Sequence, residues 1–291
     1  MCCVKLSKVR MTKKMLTVDV LDVQGFGPAI RGMRNPMNSW DKSDSLGVCF
    51  TVPSDCCKCP FVDPENNGDD GTTIICNKND DISFIVGRND LDLMRRLFQA
   101  GTEHRKYARM IQVYLNVTAP LYWWKEFDTY KVGTVANSCS TMHKIHAKEF
   151  TMDDFSHEHL TGLYTEGSVD SFIEIPDESR SWYSPRWILE NVIIKALNKN
   201  RDNYIIASEA LKTRDLTDAE RKHITAQKKL FWWQMIQLLP TSYNQTRTVM
   251  LSYENAFTIR RQRKNHKLDE WHILCDALLN LPYYREITGE E

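Results

Sequence analysis

The chain has 291 residues and a mass of 34.0 kDa, with 42% hydrophobic and 26% charged residues, a composition typical of soluble globular proteins. This length allows one large domain or two small ones with a substantial core. Lys plus Arg and Asp plus Glu are both 38, and this zero net charge disfavours a protein that coats nucleic acid or anionic membranes. Apolar runs are too short for a membrane helix and no secretory leader pattern is present, so we expect a cytoplasmic protein without a membrane partner.

The first part of the chain predicts a tail, a strand and a loop. Residues 1–14 are basic and show no periodicity, and we expect the domain to occupy 15–291. Apolar and polar residues alternate from Met15 to Val23, which predicts a strand. Glycines and prolines then recur from Gly25, and they predict a loop that lasts to Ser45.

Cysteine usage favours free thiols, because the nine cysteines are an odd number in a chain with no export signal. Five of them crowd into one segment: Cys49, Cys56, Cys57, Cys59 and Cys76. Four thiolates can bind zinc, but structural zinc sites usually show two separated pairs of ligands, so no metal site is assigned. The surrounding residues, about 50–82, are rich in Asp, Asn and Gly and predict an inserted surface loop.

The middle of the chain predicts a helix, a strand and a second insertion. Asn89 can cap a helix with an apolar side, and Gly101 ends it. Alternation from Ile111 to Val117 predicts the clearest strand of the chain. An aromatic stretch follows at Tyr122–Tyr130, and an acidic, polar insertion is expected at about 152–180.

The last third of the chain predicts mainly helices. Ser184 before Pro185 is a helix start, and Thr217 with Glu220 forms a capping box whose helix ends at Pro240. Further helices are expected at 252–263 and 268–279. Several helices with few strands predict an α/β (α+β) domain, a small sheet with flanking helices.

Several motifs that identify common enzymes are absent, namely GxGxxG, GxxxxGK[ST], HExxH and GxSxG. Their absence counts against dinucleotide-fold dehydrogenases, P-loop enzymes, zincins and α/β-hydrolases. The chemistry must therefore be sought in two less familiar segments.

The first segment runs from Leu239 to Glu270. Asn255 and Arg263 are about two helical turns apart and lie on one side of the predicted helix. Arg263 is expected at the end of this helix, where its guanidinium can reach an anionic or carbonyl-rich ligand. His266 and Glu270 fit one face of the next helix. A basic run of this kind is also typical of a solvated helix face, and both interpretations stay open.

The second segment, Tyr122–His143, joins bulky aromatic residues to the polar run Asn137–Thr141. Hydroxyls and an amide at a helix start can hold a phosphate or a nucleobase. The same pattern also fits a core aromatic segment followed by a helix cap.

Together the two segments resemble the flavin-dependent thymidylate synthases. In that family a Leu-Pro precedes a strand and a helix that bear an Asn, then an Arg, then a His-x-x-x-Glu. The residues here that fall in this order are Leu239-Pro240, Asn255, Arg263, His266 and Glu270. Earlier, Ala119-Pro120 leads to Asn137 and Ser140, which match the family's Asn and Ser, and the likeness covers roughly Asn89 to Leu281.

The chain departs from the family at its arginines. The family's Arg-His-Arg falls near Tyr130-Lys131-Val132, so Lys131 is the only cation there. Two further family arginines are replaced by Met142 and Ile236, and the family's Glu after the Asn is Ser138. In the family these arginines hold the flavin and the phosphate of dUMP.

The resemblance implies an α/β domain that assembles as a homotetramer and converts dUMP to dTMP by reductive methylation. Methylenetetrahydrofolate would supply the carbon, NADPH the reducing equivalents, and FAD would carry the hydride. The resemblance implies one catalytic residue, Arg263, which would polarise the uracil ring. The residues expected to bind the cofactor are Lys131, Asn137, Asn255 and His266, and those expected to bind the nucleotide are Glu126, Ser138, Ser140 and Arg263. Cys139 is expected to be a buried, inert thiol.

Two other functions stay open on the sequence. One is an enzyme of the same fold with altered chemistry on a pyrimidine nucleotide, such as hydroxymethylation. The other is a non-catalytic oligomer that lost the cofactor. The pairs Trp123-Trp124 and Trp232-Trp233 also predict a subunit interface, because adjacent tryptophans cannot all face one core.

Overall fold

The computed structural model describes residues 10–13, 16–48, 83–160, 173–174, 182–212 and 215–290. The strands within these ranges are β1 (Arg10–Lys13), β2 (Leu16–Gln24), β3 (Leu46–Val48), β4 (Ser83–Ile85), β5 (Gln112–Pro120), β6 (Thr134–Ser138), β7 (Ile173–Glu174), β8 (Trp182–Tyr183) and β9 (Asn244–Ser252). The α-helices are α1 (Phe26–Arg34), α2 (Arg88–Gln99), α3 (Leu121–Phe127), α4 (Thr141–Lys144), α5 (Pro185–Ile188), α6 (Ile194–Ala210), α7 (Asp218–Leu238), α8 (Tyr253–Arg263), α9 (Asp269–Leu279) and α10 (Tyr284–Thr288). The five clustered cysteines and the predicted loop at about 50–82 lie outside the described residues.

A five-stranded antiparallel sheet forms the centre of the domain, in the order β1-β2-β5-β9-β6. Side chains alternate along β2 and β5, so one face of the sheet is buried and the other carries polar residues. The buried face packs against the main core, to which α1, α2, α3, α8 and α9 contribute. The predicted strands β2 and β5 and the mixed helix-and-sheet class are therefore confirmed.

The long helices α6 and α7 pack against each other and contribute to a second, smaller core. A π-helical turn at Leu189–Ile193 joins α5 to α6. Phe155 is buried in this second core and Met152 packs against it, so the predicted insertion at about 152–180 begins with residues that belong to the packed domain. Most of the rest of that insertion lies outside the described residues.

The predicted loop between Gly25 and Ser45 is wrong, because α1 and the 3-10 turns Asn35–Met37 and Trp40–Lys42 together occupy most of it. Pro28 lies in the first turn of α1, where a missing backbone N–H costs nothing. Gly25 has a φ of 95°, and a Cβ there would lie 2.2 Å from the Met110 carbonyl oxygen, so the position requires glycine. Gly25 and Pro28, which interrupt the alternating pattern of the preceding strand, therefore mark the start of a helix.

The predicted Asn89 cap of α2 is also wrong. The helix begins at Arg88, and the carboxylate of Asp44 accepts the backbone N–H groups of Asn89 and Asp90 at 2.9 and 3.1 Å. The cap thus comes from a distant segment, which a local pattern cannot reveal. At the other end, Gly101 has the left-handed φ of 107° expected of a residue that follows a helix.

The first tryptophan pair lies in the core of the single chain, so the premise that adjacent tryptophans cannot both face one core is wrong for this pair. Trp123 and Trp124 are 0% and 1% exposed. The ring of Trp123 lies 4.8 Å from that of Trp271 in α9, whereas Trp124 donates its indole N–H to the Gln245 carbonyl in β9 at 2.9 Å. Adjacent residues of α3 therefore bury against two different elements of one core.

Residues predicted as tail also join the domain, because Arg10–Lys13 forms the edge strand β1. In the part of the chain that the structure describes, no helix is both long and apolar enough to span a membrane. The same residues contain no group of three or more His, Cys, Asp or Glu placed to bind a metal.

Candidate functional site

The Arg263 cluster consists of Arg263, Glu126, Tyr130, His266 and Trp271. It forms where the C-terminal end of α8 meets the end of α3 and the start of α9. The sequence places the arginine at the helix end, as predicted, and α9 begins soon afterwards because the chain turns back through a short loop.

Arg263 is held on three sides. Its Nη1 donates to Glu126 Oε2 at 2.9 Å, and its Nε donates to the Tyr130 hydroxyl at 2.9 Å. The guanidinium carbon lies 4.6 Å from the centre of the Trp271 ring, a cation–π distance. The side chain is 19% exposed, so the guanidinium is ordered but still reachable from solvent.

Glu126 is the centre of the cluster. Its Oε2 also accepts the indole N–H of the fully buried Trp271 at 3.0 Å, and His266 Nε2 lies 3.4 Å from it. The sequence assigned Glu126 to the nucleotide, Arg263 to catalysis and His266 to the cofactor, and the structure brings these three together.

The ion pair leaves polar atoms open for a ligand. Among the described residues, Arg263 Nη2 and Glu126 Oε1 have no hydrogen-bond partner. The first carries two N–H donors, and the second is an acceptor on a side chain that is 35% exposed. A donor and an acceptor that belong to one ion pair and have no partner can serve a ligand edge that alternates carbonyl and N–H groups.

His266 lies in the turn before α9, so the expectation that it shares a helix face with Glu270 is wrong. Its Nδ1 accepts the backbone N–H of Leu268 at 3.2 Å. A neutral imidazole then carries its proton on Nε2, the nitrogen that faces Glu126. The ring therefore presents its donor to the cluster.

Asn255 completes the capping box that Ser252 begins at α8, and it also fixes the loop that bears Lys131. Its Oδ1 accepts from the Ser252 hydroxyl at 2.7 Å, and its Nδ2 donates to the Val132 carbonyl at 2.8 Å. A Cβ at Gly133, where φ is 75°, would lie 2.7 Å from Asn255 Oδ1, so only glycine permits this approach. Asn255 thus positions the loop, and Lys131 is exposed upon it.

A second set of predicted residues lines a separate cleft of about 290 Å³. The Ser140 cleft is defined by Thr118, Cys139, Ser140, Thr141, Lys148, Asp153, Asp154, Tyr243, Asn244, Gln245 and Thr246. Ser140 caps α4 by accepting the His143 N–H at 3.0 Å. Cys139 is exposed, so the expectation of a buried thiol is wrong.

The charge of the Ser140 cleft is unfavourable for a phosphate group. Lys148 pairs with Asp154, and this hydrogen bond raises the pKa of the Lys148 ammonium above its ordinary value. Asp153 adds a further carboxylate to the lining, so acids outnumber cations. The cleft suits neutral or donor-bearing groups better than an anion.

Asn137 and Ser138 lie on the edge strand β6 and are exposed. Ser138 pairs with Arg247 of β9, whereas Thr134, at the start of β6, pairs with Leu251. Four residues of strand separate the two ends by roughly 13 Å. The structure of one chain therefore does not bring Ser138 or Ser140 next to the Arg263 cluster.

A partly buried pair of side chains, Tyr122 and Glu270, lies next to the cluster. Tyr122, one turn before Glu126 on α3, donates its hydroxyl to Glu270, which is 2% exposed in the first turn of α9. Burial, together with the hydrogen bond to Glu270, raises the pKa of the Tyr122 phenol. Two contacts, Tyr122 with Glu270 and Glu126 with Trp271, therefore fix α3 against α9.

Sequence reasoning missed Tyr130 and Trp271 as parts of the site. Tyr130 stands where the resemblance expects an arginine, and Trp271 directly follows the Glu of the family motif. The clustered aromatic residues of the second segment were a signal, since a guanidinium is often stacked on such rings.

No protein-family model and no curated protein sequence matches the chain. Among solved structures, the chain is similar to a crystal structure of the flavin-dependent thymidylate synthase ThyX from Helicobacter pylori complexed with FAD and dUMP. The TM-score is 0.49 at 14% identity, and the match covers 94% of this chain and 97% of that chain. A second structure of ThyX from Helicobacter pylori with FAD and dUMP gives a TM-score of 0.48 at 12% identity, covering 94% and 96% of the two chains. This is the family that the two sequence segments resemble.

Proposed function

We propose that the chain is an enzyme of the flavin-dependent thymidylate synthase type, which methylates dUMP reductively to dTMP. The observation that carries this proposal is the Arg263–Glu126 pair, which is ordered by Tyr130 and Trp271 and keeps one donor group and one acceptor atom open. The order of motif residues in the sequence supports it independently.

The open atoms match the edge of a uracil ring. Uracil alternates carbonyl oxygen, N3–H and carbonyl oxygen, so Arg263 Nη2 can donate to a carbonyl while Glu126 Oε1 accepts the N3–H. In this proposal Glu126 both orients Arg263 and binds the nucleotide. The pair is fixed before the ligand arrives, so little ordering is needed on binding.

Arg263 would also promote the reaction. Attack from C5 of the ring is helped when negative charge on the ring is stabilised, and a guanidinium beside a carbonyl does this. A single preorganised donor of this kind typically contributes about 2.7–4 kcal/mol to the transition state. The Trp271 ring beneath the guanidinium keeps water from one of its faces.

The hydrogen-bond donors around the cluster suit the anionic groups and the carbonyl groups of FAD. Lys131 offers an exposed ammonium on the loop that Asn255 fixes, and His266 offers an N–H donor. FAD, when bound, supplies hydride transfer, with NADPH as its reductant and methylenetetrahydrofolate as the carbon donor. Lys131 and His266 would bind and orient the cofactor.

Assembly as a homotetramer in the cytoplasm is part of the proposal. The edge strand β6 exposes Val135, which is 60% exposed, and α7 exposes Trp233, which is 42% exposed. Apolar side chains beside an unpaired strand edge favour contact with another chain. An oligomer would also allow Asn137, Ser138 and Ser140 to approach the Arg263 cluster of a neighbouring subunit.

The test is a titration of the purified chain with FAD, followed by flavin fluorescence, and then an assay of dUMP-dependent NADPH oxidation with methylenetetrahydrofolate. We expect FAD to bind weakly, because the family's arginines are replaced, and NADPH to be consumed only when dUMP is present. No flavin binding at high micromolar protein would contradict the proposal and favour a non-catalytic oligomer. Flavin binding with a hydroxymethylated product would favour the altered pyrimidine chemistry.

A further inference from the structure

Arg247 of β9 is built into the structure in the same manner as Arg263. Its Nη1 donates to Asp128 Oδ1 at 2.7 Å, and its Nε donates to Gln245 Oε1 at 2.9 Å. Its guanidinium carbon lies 4.3 Å from the centre of the Trp124 ring. Each arginine thus has a carboxylate on Nη1, a neutral oxygen on Nε and an indole against its plane.

The two arginines stand at opposite ends of one row of tryptophans. Trp271, beneath Arg263, lies 4.8 Å from Trp123, and Trp123 lies 4.9 Å from Trp124. All three rings are at most 1% exposed, so the row is rigid. Arg247 is therefore as firmly oriented as Arg263.

Arg247 keeps an open donor group. Its Nη2 has no hydrogen-bond partner among the described residues, and its side chain is 16% exposed. Its counter-ion Asp128 is 51% exposed, and water competes for such exposed pairs. An incoming anion can therefore replace part of the contact with Asp128.

A hydroxyl lies next to this donor. Ser138 is directly opposite Arg247 in the pairing of β6 with β9, so their side chains lie on the same face of the sheet, roughly 5 Å apart at Cβ. Ser138 is exposed and can turn its O–H towards the same ligand. A planar guanidinium beside a free hydroxyl is the donor arrangement that binds a phosphate oxygen.

We propose that Arg247 and Ser138 form an oxyanion site that takes the phosphate of a nucleoside monophosphate whose base is bound by the Arg263 cluster of a neighbouring subunit. The nucleotide identity rests on the proposed function, whereas the affinity for phosphate rests on Arg247 itself. The acidic Ser140 cleft is lined in part by Gln245, two residues before Arg247 on β9, and is the poorer place for a dianion.

The experiment compares dUMP with deoxyuridine, which lacks the phosphate, by calorimetric titration of the full chain. We expect Arg247→Gln to weaken dUMP binding by about tenfold to a hundredfold, the loss of one charge-assisted contact, and to leave deoxyuridine unchanged. Asp128→Asn removes the competing carboxylate and should tighten dUMP binding. Arg247→Lys keeps the charge and should lose less affinity than Arg247→Gln.

Arg105→Gln is the matched control. Arg105 is similarly buried, lies 2.7 Å from Glu254 and faces two phenylalanine rings, so its loss should lower the melting temperature without changing dUMP affinity. Unchanged dUMP affinity in a folded Arg247→Gln protein would show that Arg247 is only structural and would overturn the proposal.

Inorganic phosphate separates this inference from the proposed function. If neither dUMP nor deoxyuridine binds, the proposed function fails, but phosphate should still shift the NMR signal of the Arg247 Nε–H group, and Arg247→Gln should abolish phosphate binding. A wild-type chain in which millimolar phosphate leaves that signal unmoved would contradict the oxyanion site.

Discussion

The Arg263 cluster and the Ser140 cleft both contain residues that the resemblance assigns to a nucleotide, yet their construction differs. In the cluster one cation and one carboxylate orient each other, and contacts from α3, α8 and α9 hold them. In the cleft Lys148 is neutralised by Asp154, and Asp153 leaves an excess of acid. Fixed geometry with open polar atoms, more than the number of polar residues, therefore indicates where a pyrimidine binds.

The largest expected effect is that of Arg263→Ala, which removes the open donor. Turnover of dUMP should fall by about a hundredfold to a thousandfold, since one preorganised donor at a developing charge contributes that much. Arg263→Lys should restore only part, because an ammonium lacks the planar fork. The measurement is dUMP-dependent NADPH oxidation, with melting temperature as the check on folding.

Arg261→Ala is the control for this change. Arg261 is an exposed neighbour whose guanidinium lies 5.9 Å from the Phe257 ring, so its loss should change turnover little. Equal losses of turnover in Arg263→Ala and Arg261→Ala would mean that the basic run is an ordinary solvated helix face. The Arg263 cluster would then not be the catalytic site.

Glu126→Gln should have the next largest effect. The amide keeps the shape of the side chain but loses the charge that holds Arg263, which should weaken dUMP binding by about tenfold to a hundredfold. Calorimetric titration measures the affinity. Glu149→Gln, at an exposed acid, is the control, and a matching loss there would point to a general effect of charge.

Ser140→Ala tests the other side of the comparison. It removes the side-chain acceptor that caps α4, at a cost of about 0.5–2 kcal/mol in local stability. We expect dUMP affinity to change by less than about threefold, because the acidic cleft is a poor phosphate site. A loss of dUMP affinity as large as that of Glu126→Gln would indicate that the nucleotide binds in the cleft.

The Tyr122–Glu270 pair is expected to change stability, in a pH-dependent way, more than it changes dUMP binding. Because the pKa of the folded Tyr122 phenol is raised, its contribution to stability is complete below the ordinary value of 10.0 and is lost as the pH rises through the raised value. Tyr122→Phe should lower the free energy of unfolding by about 1–3 kcal/mol at pH 7, because Glu270 loses its hydrogen-bond donor. The variant's stability should also fall less steeply as the pH rises into the alkaline range. Urea unfolding at neutral and alkaline pH measures both, and identical slopes would contradict the pairing.

The sequence predicted the position of Arg263 because helical spacing from Asn255 is a local property, and α8 ends at that residue. It did not predict that Glu126 binds Arg263, because that contact joins segments far apart in the chain. Asn255 was assigned to the flavin, although Ser252 with Asn255 is a capping box in which Asn replaces the usual Glu. Local patterns thus revealed elements and their ends, whereas the partners of each side chain depended on packing.

In the α1 region, by contrast, the local pattern failed to reveal the element itself. Its glycines and prolines predicted a loop, yet Pro28 falls in the first turn and Gly25 just before it, where these residues favour a helix start. Counting such residues is therefore less informative than asking which helix position each would occupy.

The most direct test of the Arg263–Glu126 pair compares the binding of dUMP with that of N3-methyl-dUMP and dCMP to the wild-type chain. Both analogues lack the N3–H that Glu126 Oε1 would accept, so each should bind about tenfold to a hundredfold more weakly than dUMP. Glu126→Gln should reduce this discrimination. Equal affinity for the three nucleotides would contradict the proposed role of the pair, because binding would then not depend on the N3–H that Glu126 is expected to accept.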